Sequence, residues 1–161
     1  MFEVREIAQE DLLSLEGLYI KSIRANEKGF IQDLSRSKNI KDFVIDTQVE
    51  GGNFMGIFLN KNLIGFGGYV NEGSHKLQIC KLHLQIEYQG LGLGKLLFSA
   101  LESDAKYKGF KDFTLHVTDT QENAVAMYQK LGYKIEDKKN YEIEINGKIC
   151  RYPTLYMSKR Y

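Results

Sequence analysis

The sequence predicts a mixed α/β (α+β) fold: a central, mostly antiparallel sheet with one parallel pair of strands at its centre and helices on both faces. The parallel pair is predicted by the order strand, helix, strand, helix, strand over residues 76–136. The antiparallel part is predicted by hairpin signals, of which Asn146-Gly147 is a two-residue turn of high quality. With 161 residues, the chain is also long enough to bury a core of its own.

Length and composition indicate one domain over residues 1–161. The 22 basic residues nearly balance the 21 acidic ones, which argues against nucleic acid as the main partner. No apolar run approaches the roughly 20 residues of a membrane span, and the first residues do not resemble a signal peptide, so no membrane partner is expected. The 2 cysteines are too few for a disulfide scaffold and favour a reducing, cytoplasmic location.

The first elements follow from periodicity. Residues 2–7 alternate apolar and polar side chains, as in a short strand, and residues 8–11 open a helix with an apolar stripe at helical spacing. Residues 25–37 are ambiguous, because Gly29 disfavours a long helix there. A second helix is predicted over residues 39–49.

Three strands are predicted in the middle of the chain. Residues 53–59 and 63–70 form a hairpin across residues 60–62, where asparagine tolerates left-handed backbone angles. After a polar loop, a third long strand covers residues 76–84.

Helices and strands alternate in the last part. Residues 92–108 contain good helix formers, residues 110–117 read as a strand, and residues 122–131 form a helix. Gly132 follows that helix, at the position where glycine commonly ends one. The tail, residues 133–161, is predicted as strands.

A glycine loop carries the strongest chemical signal. Gly90, Gly92 and Gly94 lie between a strand and a helix, where backbone amides at a helix N-terminus suit a phosphate or pyrophosphate. The spacing does not match the dinucleotide motif, whose last two glycines are further apart. It does not match the nucleotide-triphosphate loop either, because Leu96 follows Lys95 where a hydroxyl is needed. The alternative is a glycine turn that binds nothing.

Three motifs together resemble the GNAT family of N-acetyltransferases. Residues 89–94 (QGLGLG) resemble the family's Q/R-x-x-G-x-G/A signature, which follows a strand like residues 82–88. Residues 124–133 (AVAMYQKLGY) resemble its A-x-x-x-Y-x-K-x-G-F/Y helix and turn, and residues 4–12 resemble its N-terminal opening. The resemblance covers nearly the whole chain and implies the acyl-CoA N-acyltransferase fold.

The resemblance implies that acetyl-CoA is the cosubstrate and that its acetyl group passes directly to an amine. Loop amides would hold the pyrophosphate, and backbone groups of the preceding strand would pair with the pantetheine arm. Many members have asparagine seven positions before the motif tyrosine, where this chain has Gln121, with Asn123 two residues further on. The implied cofactor-binding residues are Leu82, Leu84, Gln89, Gly90, Leu91, Gly92, Leu93, Gly94, Lys95, Gln121 and Asn123.

The candidate catalytic residues are Tyr128, which the resemblance implies, and His83, whose side-chain type titrates near neutral pH. Tyr128 occupies the position of the tyrosine that protonates the leaving thiolate, a task that suits an uncharged phenol. Its alternative role is that of a packing tyrosine. No carboxylate stands where members often place the general base, so His83, His116 or a chain of waters remain open for that role. Cys80 is expected to pack as a small apolar group.

Two other functions stay open. A non-catalytic acyl-CoA-binding sensor or scaffold of the same fold is favoured by the missing base, and a nucleotide-phosphate binder is a weaker reading of Gly94-Lys95. The expected partner is a small-molecule or peptide amine, and a homodimer is compatible with the sequence. No metal is expected, because the cysteines and histidines lack the spacing of a metal site.

Overall fold

The computed structural model describes residues 1–25 and 39–161. The ambiguous segment 25–37 therefore lies outside these residues, apart from Ala25, the last residue of the first helix. The described residues form seven strands and four α-helices. In chain order these are β1 (Phe2–Glu6), α1 (Leu12–Ala25), α2 (Ile40–Val49), β2 (Asn53–Leu59), β3 (Asn62–Gly73), β4 (Lys76–Leu84), α3 (Leu93–Tyr107), β5 (Asp112–Thr118), α4 (Glu122–Lys130), β6 (Lys134–Ile145) and β7 (Lys148–Arg160).

All seven strands belong to one mixed sheet, in the order β1-β2-β3-β4-β5-β7-β6. The pair β4/β5 is parallel and the other neighbours are antiparallel, as the sequence predicts. Of the two predicted strand-helix-strand units, β4-α3-β5 gives a parallel pair. The unit β5-α4-β6 does not, because β7 lies between β5 and β6. The strand β3 is also longer than predicted, since Asn71–Gly73 continue the pairing with β4 instead of forming a loop.

Helices cover both faces of the sheet, which confirms that prediction. On one face, α3 and α4 bury a core that includes Phe98, Leu101 and Phe113. On the other face, α1 and α2 pack on Phe54 and Phe66 of β2 and β3. The central strands are thus buried between two apolar cores, one on each face of the sheet.

Turns and helix ends follow the local sequence. Asn146 and Gly147 both have positive φ, 51° and 77°, as a tight hairpin turn requires. Gly132 has a φ of 97° just after α4, where few other residues are tolerated. No helix within residues 1–25 and 39–161 combines the length and the apolar character needed to cross a membrane.

Candidate active site

The two parallel strands separate halfway along their length. Pairing runs from Lys76/Asp112 to Ile79/Leu115 and stops, although both strands continue. At that level β4 carries a bulge: its register against β3 shifts, and Lys81 has a left-handed φ of 56°. The bulge bends β4 away from β5, which opens a gap in the middle of the sheet.

A cavity of about 960 Å³ fills this gap. Its walls come mainly from the diverging strands, from α1 and from one face of α4 with its N-cap residue. The size is typical of a small-molecule or cofactor site. The predicted site residues that it brings together are Leu82, His83, Leu84, Gln89, Gln121 and Tyr128.

The backbone of Leu84 points into the gap. The Gln85 amide donates to the Ile64 carbonyl at 2.9 Å, so this antiparallel pair is hydrogen-bonded and the next pair, Gly65/Leu84, is not. The backbone N–H and C=O of Leu84 therefore face away from β3, on the side where β5 has left. The Gln89 side-chain amide donates to the Leu84 carbonyl at 3.1 Å and ties the glycine loop to this strand end.

The glycine loop leads directly into α3. Gly90 and Gly92 have φ values of 78° and 80°, and Gly92 is the N-cap of the helix. The first helical hydrogen bond runs from the Leu96 amide to the Gly92 carbonyl, so the amides of Leu93, Gly94 and Lys95 precede it. A Cβ built at Gly90, Gly92 or Gly94 would meet nothing within 4 Å, so the loop borders open space at these three positions.

The side chains of this loop differ in environment. Leu93 is buried and packs with Ile57 and Ile64, which anchors the helix start to the sheet. Leu91 and Lys95 are exposed. None of the residues from Gly90 to Lys95 lines the cavity itself, so the loop lies beside the gap and not within it.

The two candidates at the start of α4 occupy different places. Gln121 is the N-cap residue of α4 and lines the cavity, and its side chain makes no capping hydrogen bond. Asn123 is exposed on the first turn of the helix and is not part of the cavity wall. Of the two amides, Gln121 is therefore the one that lies at the gap.

Tyr128 presents a buried phenol to the cavity. Only 8% of its surface is exposed, and its ring packs 5.4 Å from Phe98 and 6.3 Å from Tyr133, between centroids. Burial raises the pKa of Tyr128 to about 12, so the hydroxyl keeps its proton at neutral pH. Within the part of the chain that the structure describes, no hydrogen bond occupies this hydroxyl. It can therefore donate to a group bound in the gap.

His83 lies on the α1 side of the same gap. Its Nδ1 is 2.8 Å from Ser22 Oγ, and its ring packs on Tyr19 and Phe66 at 5.2 and 5.3 Å. Burial, together with the charge of Lys81, lowers the pKa of His83 to about 4. The imidazole is therefore neutral at physiological pH and has one nitrogen able to accept a hydrogen bond.

His116 and Cys80 also line the cavity but have different surroundings. His116 is exposed, its ring lies 4.2 Å from that of Tyr156, and burial acts to lower its pKa, with the charge of Glu72 opposing. Burial raises the pKa of the Cys80 thiol to about 12, so it stays protonated, in line with a packing role. Among residues 1–25 and 39–161, no three acidic, histidine or cysteine side chains group together as metal ligands would.

Sequence reasoning missed two residues of this site, Ser22 and Lys81. Ser22 is 61 positions from His83, and no local pattern links a serine on α1 to a histidine on β4. Lys81 is not a residue that local chemistry favours at positive φ, so its type gives no signal for the bulge. The one local signal is that the alternating apolar side chains shift by one position along β4, from Leu77 and Ile79 to Leu82 and Leu84.

Comparison with known proteins identifies the family. Residues 15–133 match the profile of the acetyltransferase (GNAT) family. A spermidine N(1)-acetyltransferase from Thermoplasma acidophilum is 28% identical over 145 residues, which covers 84% of this chain and 89% of the relative.

Two solved structures share the fold over almost their whole length. The PaiA N-acetyltransferase from Thermoplasma acidophilum, in complex with coenzyme A, superposes with a TM-score of 0.77 at 26% identity and covers 100% of this chain and 99% of its own. A putative acetyltransferase from Salmonella typhimurium with its cofactor acetyl-CoA gives a TM-score of 0.84 at 14% identity, covering 99% of this chain and 94% of its own. At this low sequence identity, the structural similarity shows a shared fold and nothing more.

Proposed function

Because the chain belongs to the acetyltransferase (GNAT) family, and is thus an acetyl-CoA-dependent N-acetyltransferase, we propose that it acetylates an amine by direct transfer in the gap between β4 and β5. Tyr128 is the proposed general acid. The observation that carries the proposal is the convergence at this gap of the outward-facing backbone of Leu84, a protonated phenol on Tyr128 and the glycine loop beside them.

The residues at the gap fit acetyl-CoA. The open space at Gly90, Gly92 and Gly94 leaves room for a pyrophosphate against the amides at the start of α3, where the helix dipole favours negative charge. The outward-facing backbone of Leu84, with Leu82 after the bulge, can pair with an extended arm as an added strand would. Gln121 offers a further amide at the cavity wall, and Asn123 and Lys95 stay predicted contacts outside it.

Acetyl-CoA supplies an activated acetyl group as a thioester. In the reaction a carbon–nitrogen bond forms to the amine, the carbon–sulfur bond breaks, and the amine gives up one proton. Tyr128 would donate its proton to the departing sulfur, because a neutral phenol in a buried site stabilises developing negative charge without carrying charge itself. The amine proton would pass to neutral His83 or to water.

The acceptor is proposed to be an amine on a small molecule or a peptide. The spermidine acetyltransferase relative supports a small amine as acceptor. The cavity has room for such a molecule beside a pantetheine arm. A homodimer, and the expected lack of nucleic-acid and membrane partners, stay predictions.

Thiol release from acetyl-CoA across a panel of amines tests this function, with calorimetric titration of acetyl-CoA as the companion measurement. We expect binding by calorimetry, and thiol release that depends on both the enzyme and one class of amine. Binding without release for any amine would favour the acyl-CoA sensor. No binding at millimolar acetyl-CoA would contradict both.

A further inference from the structure

Lys81 places a cation inside the candidate active site. It lines the cavity on the α1 side, its Nζ donates to Tyr19 Oη at 3.2 Å, and the same Nζ lies 5.3 Å and 5.6 Å from the ring centroids of Tyr19 and Phe43. Tyr19 is buried and both contacts are uncharged aromatic groups. The ammonium is therefore held in a defined place, on the same side of the sheet as His83.

The backbone at Lys81 is also unusual. Its φ of 56° is a conformation that glycine and asparagine adopt readily and that costs a lysine about 1 kcal/mol. A glycine at this position would form the same bulge without that cost. Strained residues of this kind concentrate at functional sites, so the lysine side chain itself is the feature to explain.

No carboxylate within the described residues neutralises this ammonium by an ion pair. The charged side chains that line the cavity, among residues 1–25 and 39–161, are Lys21, Lys81 and Glu87. Glu87 is exposed on the short turn Ile86–Tyr88 that follows β4 toward the glycine loop, whereas Lys21 lies on α1 like the aromatic partner of Lys81. Among the described residues, the charges on the α1 side of the cavity are thus both positive, which repels a polycation and attracts an anion.

We propose that Lys81 binds a carboxylate carried by the amine acceptor, so that the protein acetylates amino carboxylates in preference to polyamines. The inference rests on the acetyltransferase function proposed above. The carboxylate itself is unchanged: the acetyl carbon leaves sulfur and bonds the acceptor nitrogen, which releases one proton. A compact ammonium that is partly withdrawn from water suits this recognition, because a charged hydrogen bond there discriminates strongly against a neutral analogue.

Matched acceptor pairs test the proposal. Each of four amino carboxylates is compared with its own carboxamide and with spermidine: glycine, β-alanine, γ-aminobutyrate and phenylalanine. The kcat/KM values are calculated from the concentration of unprotonated amine, so that differences in amine pKa do not enter the comparison. We expect at least one carboxylate to exceed its carboxamide by about tenfold or more. Lys81→Gln should bring that ratio to about one, and Lys81→Arg should keep it, while the Kd for acetyl-CoA stays the same in all three proteins.

Lys21→Gln is the control, since it removes the other cavity lysine and should leave most of the preference. If Lys81→Gln does not fold, Lys81→Asn tolerates the left-handed backbone and also removes the charge. Calorimetric titration of the enzyme with coenzyme A bound reads the same preference without turnover. Equal binding and equal kcat/KM for carboxylate and carboxamide, or a preference that survives Lys81→Gln, would overturn the proposal. Acetylation of spermidine with no carboxylate preference would overturn it while leaving the proposed function intact.

Discussion

Ser22 Oγ lies 2.8 Å from His83 Nδ1 and joins the first helix to the strand that opens the central gap. For His83 to accept a proton at Nε2, its Nδ1 must carry a hydrogen, which it would then donate to Ser22. The serine therefore holds the ring in place and, in that tautomer, leaves Nε2 free. Ser22 belongs to the helix α1 and His83 to the strand β4, and both line the cavity at the gap.

The environment of His83 predicts a specific pH dependence of stability. Its pKa falls from 6.5 to about 4 on folding, so the neutral form is favoured by the fold. Stability from this group is fully present above about pH 6.5 and is lost as the pH falls through about 4. In urea unfolding, the wild-type protein should lose about 3 kcal/mol more than His83→Gln between about pH 7 and pH 4. Parallel curves for the two proteins would contradict the buried, neutral histidine.

The start of α3 predicts opposite effects on stability and on cofactor binding. Gly94 is not at positive φ, and a side chain there meets open space, so Gly94→Asp should fold. Its carboxylate should stabilise the helix N-terminus by about 0.5 kcal/mol and repel the pyrophosphate. We expect the Kd for acetyl-CoA to rise about tenfold relative to Gly94→Asn, the neutral variant of the same shape. Equal Kd values for Asp and Asn would place the pyrophosphate elsewhere.

The phenol of Tyr128 is predicted to act on turnover and not on cofactor affinity. Tyr128→Phe keeps the ring that packs on Phe98, so it should lower kcat at least tenfold and change the Kd for acetyl-CoA less than twofold. Tyr133→Phe is the control: it also removes a buried hydroxyl, one that donates to Glu102 at 2.9 Å. It should reduce stability and leave kcat close to wild type. Unchanged kcat in Tyr128→Phe would remove this residue as the acid.

A network outside the gap predicts a purely structural effect. Tyr69 Oη donates to Asp104 at 2.6 Å, and the Asn53 side-chain amide donates to the same oxygen at 2.9 Å. Burial acts to raise the pKa of Asp104, but these hydrogen bonds and the nearby Lys108 ammonium together overcome it, and the pKa is lowered. Tyr69→Phe should therefore cost about 2 kcal/mol in thermal or urea unfolding, with kcat unchanged. The exposed Tyr107→Phe should cost almost nothing, and equal losses for both would contradict this assignment.

The elements of the fold could be predicted well because their signals are local. Residues 76–84 are predicted as a strand over the range that the structure gives to β4, and Asn146-Gly147 marks the turn between β6 and β7. The position of β7 between β5 and β6 could not be predicted in the same way, because strand order depends on contacts between distant segments.

The same distinction between local signals and long-range contacts applies to the site. The glycine loop and Tyr128 have short motifs, and the structure places Tyr128 in the cavity wall and the loop beside it. The contact of Ser22 with His83 arises from packing between layers, which a single sequence does not display. The left-handed backbone of Lys81 is not indicated by its residue type either. The net charge of +1 is a sum over the whole chain, so it could not indicate the charge of the cavity.

The measurement that tests the candidate site most directly is a crystal structure of the protein with coenzyme A bound. We predict that the pantetheine arm lies between β4 and β5 and pairs with the backbone of Leu84, that the pyrophosphate contacts the amides from Gly90 to Lys95, and that the sulfur lies within hydrogen-bonding distance of Tyr128 Oη. A coenzyme bound away from this gap, or a sulfur out of reach of Tyr128, would contradict it.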